Sequence, residues 1–313
     1  MQNFLISFNV VFPIFLLMAL GFLLRQGKLL SEPTVKQMNQ LVFKVVLPAS
    51  VFKNVYDSEI KDVFDGSLLA FSVVCVLAII FLALAVVVLF EKDSAKRGVL
   101  VQGIFRSNFV IFGLAVTAAL CDGAVSGAAS LLVAVIVPIF NFAAVIVLEA
   151  FGSKKADFKK ILCGIATNPL IIASLVGILI SACGLKFPSV IESAIGQVAS
   201  LTTPLALIVL GASIHFSTVK ANVRPLVVGV LAKLVIVPAV CLSLAAFVFG
   251  FKGEQFAILL ALFASPAAVS SFTMAEQMSG EGELAGQLVM FGTTLSVVTM
   301  FGFIYAAVSL GIL

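Results

Sequence analysis

Long runs of apolar residues, separated by short polar stretches, recur along the whole chain. Each run is long enough to cross a hydrocarbon core of about 30 Å as a helix. The pattern predicts ten membrane-spanning helices, spans 1 to 10, at 4–25, 34–54, 67–90, 97–120, 126–149, 160–183, 190–214, 225–249, 255–277 and 284–311. The stretches between them are too short for a soluble domain, so we expect an all-α polytopic membrane protein.

The composition agrees with this prediction. Hydrophobic residues make up 62% of the chain and charged residues 11%, with a mean hydropathy of +1.23. Soluble domains carry about 25% charged residues. The net charge of +4 comes from short loops, so we expect no nucleic-acid partner.

The two halves of the chain share a pattern of prolines and glycines. A shift of 156 residues superimposes three pairs: Pro13 on Pro169, Gly21 on Gly177 and Pro48 on Pro204. Repeated halves are typical of secondary transporters, which build a central site between them. Span 1 contains Pro13 and Gly21 of this pattern, and no basic residue precedes its apolar run. We therefore expect a retained helix and not a cleaved signal peptide.

The basic residues predict the orientation. With the N-terminus outside, the cytoplasmic loops hold Arg25, Lys28, Lys36, Lys92, Lys96, Arg97, Lys154, Lys155, Lys159, Lys160, Lys220 and Arg224. The outer loops hold Lys53, Lys61, Lys186 and Lys252. This bias follows the positive-inside rule and places both termini outside the cytoplasm. Because each half has five spans, the halves at 1–150 and 160–313, joined by a cytoplasmic connector at 151–159, form an inverted repeat.

Catalytic and metal-binding chemistry is not indicated. The five cysteines stand singly without a C-x-x-C pair, a spacing that favours packing over zinc or disulfides. His215, the sole histidine, falls at the inner end of span 7, and no Asp or Glu falls at the middle of a span. We expect no enzyme activity, no cofactor and no metal site.

Spans 4 and 9 carry polar residues that are costly in a membrane unless they line a cavity. Span 4 contains Gln102, Arg106, Ser107 and Asn108, and span 9 contains Ser265, Pro266, Ser270, Ser271 and Thr273. Pro266 removes a backbone donor and disturbs the preceding turn. The pattern predicts a pair of discontinuous helices. The alternative is a kinked helix whose serines bond to their own carbonyls.

Several short motifs resemble those of the auxin efflux carriers, in the same order along the whole chain. They are Asn108-x4-Gly113, the stretch from Pro266 to Ala275 continuing to Phe291-Gly292, Lys160-x7-Asn168-Pro169, Leu47-Pro48, and Pro204 to Gly211. Ser107 replaces the proline that precedes the asparagine in the plant members, which predicts a softer break in span 4. The short connector at 151–159 is similar to that of the bacterial branch, whose members carry malate, malonate and similar acids.

The resemblance implies a ten-helix fold of two inverted five-helix repeats, shared with sodium/proton antiporters and bile-acid symporters. Helices 4 and 9 would cross as broken helices beside the substrate. Helices 1, 2, 6 and 7 would form a dimerising scaffold, while helices 3–5 and 8–10 move as an elevator. It also implies a homodimer in the bacterial inner membrane, in contact with lipid.

The predicted site lies where the two broken helices meet. Half-helix N-termini offer free N–H donors and partial positive charge to an anion. The candidate substrate-binding residues are Arg106, Ser107, Asn108, Ser265, Pro266, Ser270 and Ser271. Arg106 either pairs with the substrate carboxylate or points away, since it lies about 200° round a regular helix from Asn108.

Other charged residues near the membrane have simpler explanations. Lys44 and Lys233 are expected to snorkel toward a helix end or interface. Glu276 and Gln277 lie near the inner end of span 9, where they either form an interfacial pair in water or join a cation site. Sodium or proton coupling therefore stays open.

Three functions remain compatible with the sequence. The first is a carrier of small organic anions. The second is a cation/proton antiporter, which normally needs a carboxylate at the crossing. The third is a non-transporting membrane scaffold or sensor, which would not need polar breaks in matching spans.

Overall fold

A computed structural model of the chain describes residues 2–57, 65–121, 127–152, 158–213, 219–278 and 281–313. His215 and residues 153–157 of the predicted connector lie outside these ranges.

The described chain is all-helical, as the hydropathy pattern predicts. The α-helices are α1 Gln2–Gln26, α2 Glu32–Leu41, α3 Leu47–Tyr56, α4 Gly66–Phe90, α5 Ser94–Phe105, α6 Leu114–Leu120, α7 Gly127–Gly152, α8 Phe158–Thr167, α9 Pro169–Ala182, α10 Ser189–Ser200, α11 Thr202–Ser213, α12 Val219–Leu231, α13 Val237–Ser243, α14 Gly253–Ala264, α15 Ser270–Met278 and α16 Gly282–Ser309. Short π-helical stretches lie at Val42–Val46, Phe109–Gly113, Ala232–Ile236 and Leu244–Val248. Helix thus occupies all ten predicted spans, with bounds that differ by a few residues.

Several of these helices are long and apolar enough to cross a membrane. In the described ranges five qualify: Gly66–Phe90, Ala128–Gly152, Ser189–Ser213, Val219–Val248 and Gly282–Ser309. Four shorter apolar helices are Phe12–Gln26, Phe109–Leu120, Pro169–Ala182 and Gly253–Ala264. Three of these four are short because a break interrupts the span that contains them, at Asn168 and in the regions 106–108 and 265–269.

Prolines account for two of the π-helical stretches. Pro48 and Pro238 each lie two residues after the end of one, and Leu47 N bonds to Val42 O while Val237 N bonds to Ala232 O. A proline ring clashes with the carbonyl four residues earlier. A wider turn moves that carbonyl aside, so the helix continues through the proline.

Glycines bring two pairs of antiparallel helices into close contact. Gly21 of α1 lies against the backbone of Ile208, and Gly211 of α11 lies against the backbone of Met18. Gly177 of α9 packs on the carbonyl of Phe52 in α3. Small residues permit this approach because no side chain separates the backbones. Helices α1 and α11, and helices α3 and α9, thereby form two closely packed pairs.

Helix α14 is enclosed by the rest of the protein. Every residue from Phe256 to Ala264 is buried, as expected for an apolar helix that protein encloses on all sides. It packs against α6, α13 and α16. The end of α14 at Ala264 is therefore held deep inside the protein.

Lys233 differs from its prediction. It lies within the continuous helical segment Val219–Val248 and is 3% exposed, so it does not snorkel at a helix end. The prediction failed because hydropathy shows where a span lies but not which side chains its neighbours cover. Lys44, by contrast, is exposed.

Two of the singly placed cysteines meet in the fold. Cys75 of α4 and Cys241 of α13 are both buried, and their side chains are near enough to interact with each other. Their separation in the sequence gave no sign of this contact.

Asp65 caps the N-terminus of α4. Its Oδ1 accepts from the backbone N–H groups of Leu68, at 3.1 Å, and Ser67, at 3.2 Å, and Gln255 donates to its other oxygen. The Leu68 N–H contributes most to lowering the pKa of this carboxyl group below its usual value. The cap thus joins α4 to α14 through an ionised side chain.

We expect Asp65→Ala to lower the free energy of unfolding by about 1 kcal/mol, the usual effect of losing an N-cap. Because folding lowers this pKa, the stabilisation is present at neutral pH. It is lost as the pH falls below about 4 and through the lowered pKa of the folded state. Thermal melts of parent and variant should converge in acid. Asp57→Ala is the control, since exposed Asp57 pairs with Lys53; an equal loss there would contradict this role.

Candidate functional site

The chain is broken at two places that pair with each other. Helix α5 ends at Phe105, Arg106 is extended (φ −78°, ψ 114°), and helix resumes at Phe109. Helix α14 ends at Ala264, Ser265 is extended (φ −64°, ψ 146°), and α15 begins at Ser270. An isolated antiparallel β-bridge joins Ser107 to Ala267. Spans 4 and 9 are therefore discontinuous, and the non-helical segments lie side by side.

The two breaks have different local causes. Pro266 disfavours helix at the preceding residue and cannot donate a backbone hydrogen bond. The first break has no proline, yet it is complete. The freed N–H of Asn108 donates to Pro266 O at 2.8 Å. The break in span 9 thus supplies the acceptor for a backbone donor that the break in span 4 leaves without a helical partner. The expectation of a softer break at Ser107 was wrong, because it considered span 4 without its partner.

A cavity of about 220 Å³ lies beside the paired breaks. It lies between the two breaks, α7, and parts of α3, α10 and α11. Its polar lining consists of Ser50, Asn54, Arg106, Ser107, Asn108, Asn141, Ser200, Thr202, Thr203 and Ser270. Arg106 is the sole charged side chain among these described lining residues. The cavity is therefore small, has polar residues on each of its walls and carries one positive charge.

Arg106 is buried without an acidic partner in the described part of the chain. It is 6% exposed, and its Nη2 donates to Asn141 Oδ1 at 2.7 Å and to Ser270 Oγ at 3.0 Å. Its Nη1 contacts Met274 Sδ at 2.7 Å. All three partners are neutral. Buried charges are normally paired with an opposite charge. This guanidinium has no such partner among the described residues, so its positive charge is not compensated.

Three further polar groups at the cavity have no hydrogen-bond partner among the described residues. They are Asn108 Nδ2, Ser107 Oγ and Asn141 Nδ2. The first N–H groups of the helix that begins at Phe109 also lack partners within that helix, whereas Ser271 N and Phe272 N in α15 donate to Ala268 O and Val269 O. A buried donor left unsatisfied costs about 1–3 kcal/mol. The cavity therefore gathers donors that a ligand with several acceptor oxygens would satisfy.

Sequence comparison places the chain among membrane carriers. A family model described as membrane transport protein matches residues 6–161 and 156–304. The chain belongs to the membrane transport protein family. It is 23% identical to an uncharacterised transporter of Methanocaldococcus jannaschii, over 96% of this chain and 99% of that protein. It is 21% identical to an uncharacterised transporter of Methanothermobacter thermautotrophicus, over 95% of this chain and 97% of that protein.

The structure of this transporter brings together four of the seven predicted site residues. Arg106, Ser107, Asn108 and Ser270 line the cavity. The angle that suggested Arg106 points away assumed a regular helix through residue 108. The helix ends at Phe105, so that angle does not apply.

The other three predicted residues do not line the cavity. Ser265 Oγ donates to Ala261 O one turn earlier, the self-bonding that was the alternative explanation for the serines. Pro266 contributes its carbonyl to Asn108 N. Ser271 Oγ is buried and has no partner in the described chain.

Sequence reasoning missed Asn141, Met274 and the polar residues of α3 and α11. Asn141 had a usable signal, since it is an asparagine at the middle of the apolar span 5, three residues after Pro138, and intramembrane polar residues mark functional sites. Met274 had none, because methionine is ordinary in a membrane helix.

Glu276 lines a second cavity, of about 300 Å³, with Arg25, Lys36, Asn39 and Glu283 among its neighbours. Basic and acidic side chains are mixed there, and Glu32 pairs with Lys36 at 3.0 Å. The predicted orientation puts this cavity at the inner side of the protein. Arg106 and Ser270 do not line it.

Proposed function

We propose that this transporter is a secondary carrier of small organic anions, such as malate, malonate or auxin-like carboxylates. The observation that supports this most is Arg106, a buried guanidinium with neutral neighbours at the wall of a small cavity. A carboxylate brings the missing negative charge, and its two oxygens match the guanidinium fork.

Neutral donors complete the proposed binding site. Asn108 Nδ2 and Asn141 Nδ2 lie at the same cavity and lack partners in the described chain. The helix that begins at Phe109 adds first-turn N–H groups without partners in that helix, and both this helix and α15 add partial positive charge at their N-termini. The apolar part of the lining, including Val137 and Phe140, would accommodate the carbon skeleton of an acid.

The cation/proton antiporter is less compatible with this geometry. Such a site needs a carboxylate at the crossing, and the described lining of the cavity offers Arg106 instead. A cation entering there would meet a buried positive charge, which is costly where screening is poor. We therefore favour the anion carrier.

Contacts between residues 156 positions apart support the inverted repeat. Thr202 Oγ1 donates to Val46 O at 3.2 Å, so one residue touches its own repeat equivalent, as occurs on a two-fold axis. Gly21 packs on Ile208, and their equivalents Gly177 and Phe52 pack on each other. We infer ten spans in two inverted halves, with both termini extracytoplasmic in the inner membrane.

The position of the cavity supports an elevator mechanism. Arg106, Asn108, Asn141 and Ser270 belong to helices of the proposed moving group. The opposite wall comes from α3, α10 and α11, which belong to the proposed scaffold. A substrate held on one group and only covered by the other can travel with the first. Movement of one repeat group against the other then exposes the site alternately.

The scaffold also offers a surface for a homodimer. Helix α10 packs on α3 but buries none of its own residues within the chain. Ser193 and Gln197 are exposed on it and bond to each other at 3.3 Å. Polar groups are costly against lipid tails, so a second copy fits this face better than lipid does.

Counterflow tests the proposed function. Purified protein in proteoliposomes loaded with unlabelled malate, malonate or auxin should accumulate the same labelled acid from outside, with and without sodium or proton gradients. Liposomes without protein are the control. If none of these acids or other small carboxylates exchanges, while a monovalent cation does, the anion assignment is wrong.

Asn108→Asp should weaken anion binding more than Asn108→Ala does. Losing a hydrogen bond to a charged group costs about 1.5–3 kcal/mol, or roughly 10- to 150-fold in affinity. The aspartate adds charge repulsion at short range. Affinities come from competition in the counterflow assay. Parent-like affinity in Asn108→Asp across neutral pH would show that no anion is held at this position.

A further inference from the structure

Asn141 lies at the junction between the buried cation and the cavity. It is fully buried on α7, and its Oδ1 accepts from Arg106 Nη2 at 2.7 Å. Its Nδ2 lacks a partner in the described chain, and the residue lines the cavity. The amide therefore directs its acceptor at the guanidinium, while its buried donor has no partner in the described chain.

We propose that Asn141 determines the charge selectivity of the anion site. It holds Arg106 in place without neutralising it, and it offers its free Nδ2 donor to the bound carboxylate. This inference rests on the proposed anion carrier and deepens it by assigning the residue that keeps the site positive.

The neutrality of this contact is what preserves the charge. An aspartate has the same shape and would bind the guanidinium more strongly, through a charge-assisted pair. It would also cancel the positive charge that the cavity presents. Ser270 and Met274, the other neighbours of the guanidinium, are neutral as well.

The neighbouring helices bring no acidic side chain to Arg106 in the described part of the chain. The helices packed against α5 are α4, α7, α12, α15 and α16. Their acidic residues are Glu149, Glu276 and Glu283. None of them forms a hydrogen bond or an ion pair with Arg106. A carboxylate at position 141 would therefore be the first to reach this guanidinium.

A purely structural role for Asn141 predicts a different result from a charge-selecting role. If Asn141 only orients Arg106, an aspartate does so at least as well, and Asn141→Asp should bind anions better than Asn141→Ala. If Asn141 preserves the charge, the order is reversed. The alanine variant loses one donor and some orientation, whereas the aspartate variant loses the charge of the site.

The test measures the affinity of detergent-purified variants for labelled malate, malonate and auxin, together with their thermal midpoints. We expect Asn141→Ala to lower affinity about 10-fold and Asn141→Asp by about 100-fold or more. The midpoint of the aspartate variant should equal or exceed that of the parent, because it forms a buried ion pair in place of a neutral bond.

Asn222→Asp is the matched control. Asn222 is also buried, and its Oδ1 accepts from Lys96 Nζ at 2.9 Å, away from the lining of the cavity. The same substitution beside a different cation should leave anion affinity within about twofold. A loss equal to that of Asn141→Asp would mean that any added buried carboxylate impairs the protein, and would overturn the proposal.

Ser270→Asp provides an independent variant should Asn141→Asp fail to fold. It brings a carboxylate to the same guanidinium from α15, and we expect a similar loss of about 100-fold. Parent-like affinity in either aspartate variant overturns the role of Asn141 while leaving the anion carrier intact. If the parent protein neither binds any of these acids nor exchanges them in the counterflow assay, the proposed function is wrong, and this inference fails with it.

Discussion

Replacing Arg106 with glutamine should abolish most anion binding while leaving the protein folded. The substrate carboxylate would lose its only charged partner in the described cavity lining. Truncating one member of a buried, hydrogen-bonded charge pair costs about 2–5 kcal/mol, which corresponds to roughly 30- to 4,000-fold in affinity. Binding of labelled malate, malonate or auxin to purified protein measures the loss.

Stability should change in the opposite direction from affinity. Without ligand, Arg106 is a buried charge whose partners are all neutral, and such a charge destabilises the fold. Arg106→Gln should therefore melt at or above the parent temperature when no acid is added. Added acid should raise the melting temperature of the parent but not of the variant.

Arg106→Lys is the control that separates charge from geometry. It retains the positive charge but lacks the planar fork that matches a carboxylate, so we expect an intermediate loss of about tenfold. If Arg106→Gln and Arg106→Lys both bind at parent affinity, Arg106 is a structural residue and the substrate lies elsewhere.

Replacing Gly211 with alanine should severely destabilise the transporter. A Cβ added there would lie 2.0 Å from the carbonyl oxygen of Met18 and 2.7 Å from its carbonyl carbon. These are backbone atoms, so α1 and α11 must separate. Overpacking a tight contact costs about 1–3 kcal/mol or more, and here it affects two helices of the proposed scaffold. The measurements are the yield of monodisperse protein and the thermal midpoint.

Gly302→Ala is the matched control on another long helix. Gly302 of α16 is exposed, and an added Cβ would meet no atom within 4 Å. Alanine favours helix over glycine by about 0.5–1 kcal/mol, so this variant should be slightly more stable. Equal stability of the two variants would show that the α1–α11 contact is looser than the structure has it.

The sequence predicted the helices well because hydrophobicity along a chain is a local property. Each of the ten apolar runs lies where the structure has helix, and the polar residues of spans 4 and 9 marked the breaks. It did not predict that the helix is completely interrupted in span 4. That break depends on Pro266 O accepting the Asn108 N–H, a contact between residues far apart in the chain.

The candidate site was predicted in part for the same reason. Residues adjacent to a break, such as Asn108 and Ser107, could be named from the broken pattern. Asn141 could not be associated with Arg106 from spacing, because 35 positions and a change of helix separate them. Ser265 and Ser271 share the span 9 motif with Ser270, but only Ser270 lines the cavity.

The sequence by itself determined that this chain is an all-helical membrane protein with polar breaks in two of its spans, because composition and hydropathy act residue by residue. The tertiary structure alone decided which polar groups meet, and therefore where the positive charge is presented. Whether a buried arginine is neutralised or left available depends on the atoms within about 3–4 Å of it. In this transporter those atoms come from three residues on two helices, α7 and α15, and all of them are neutral.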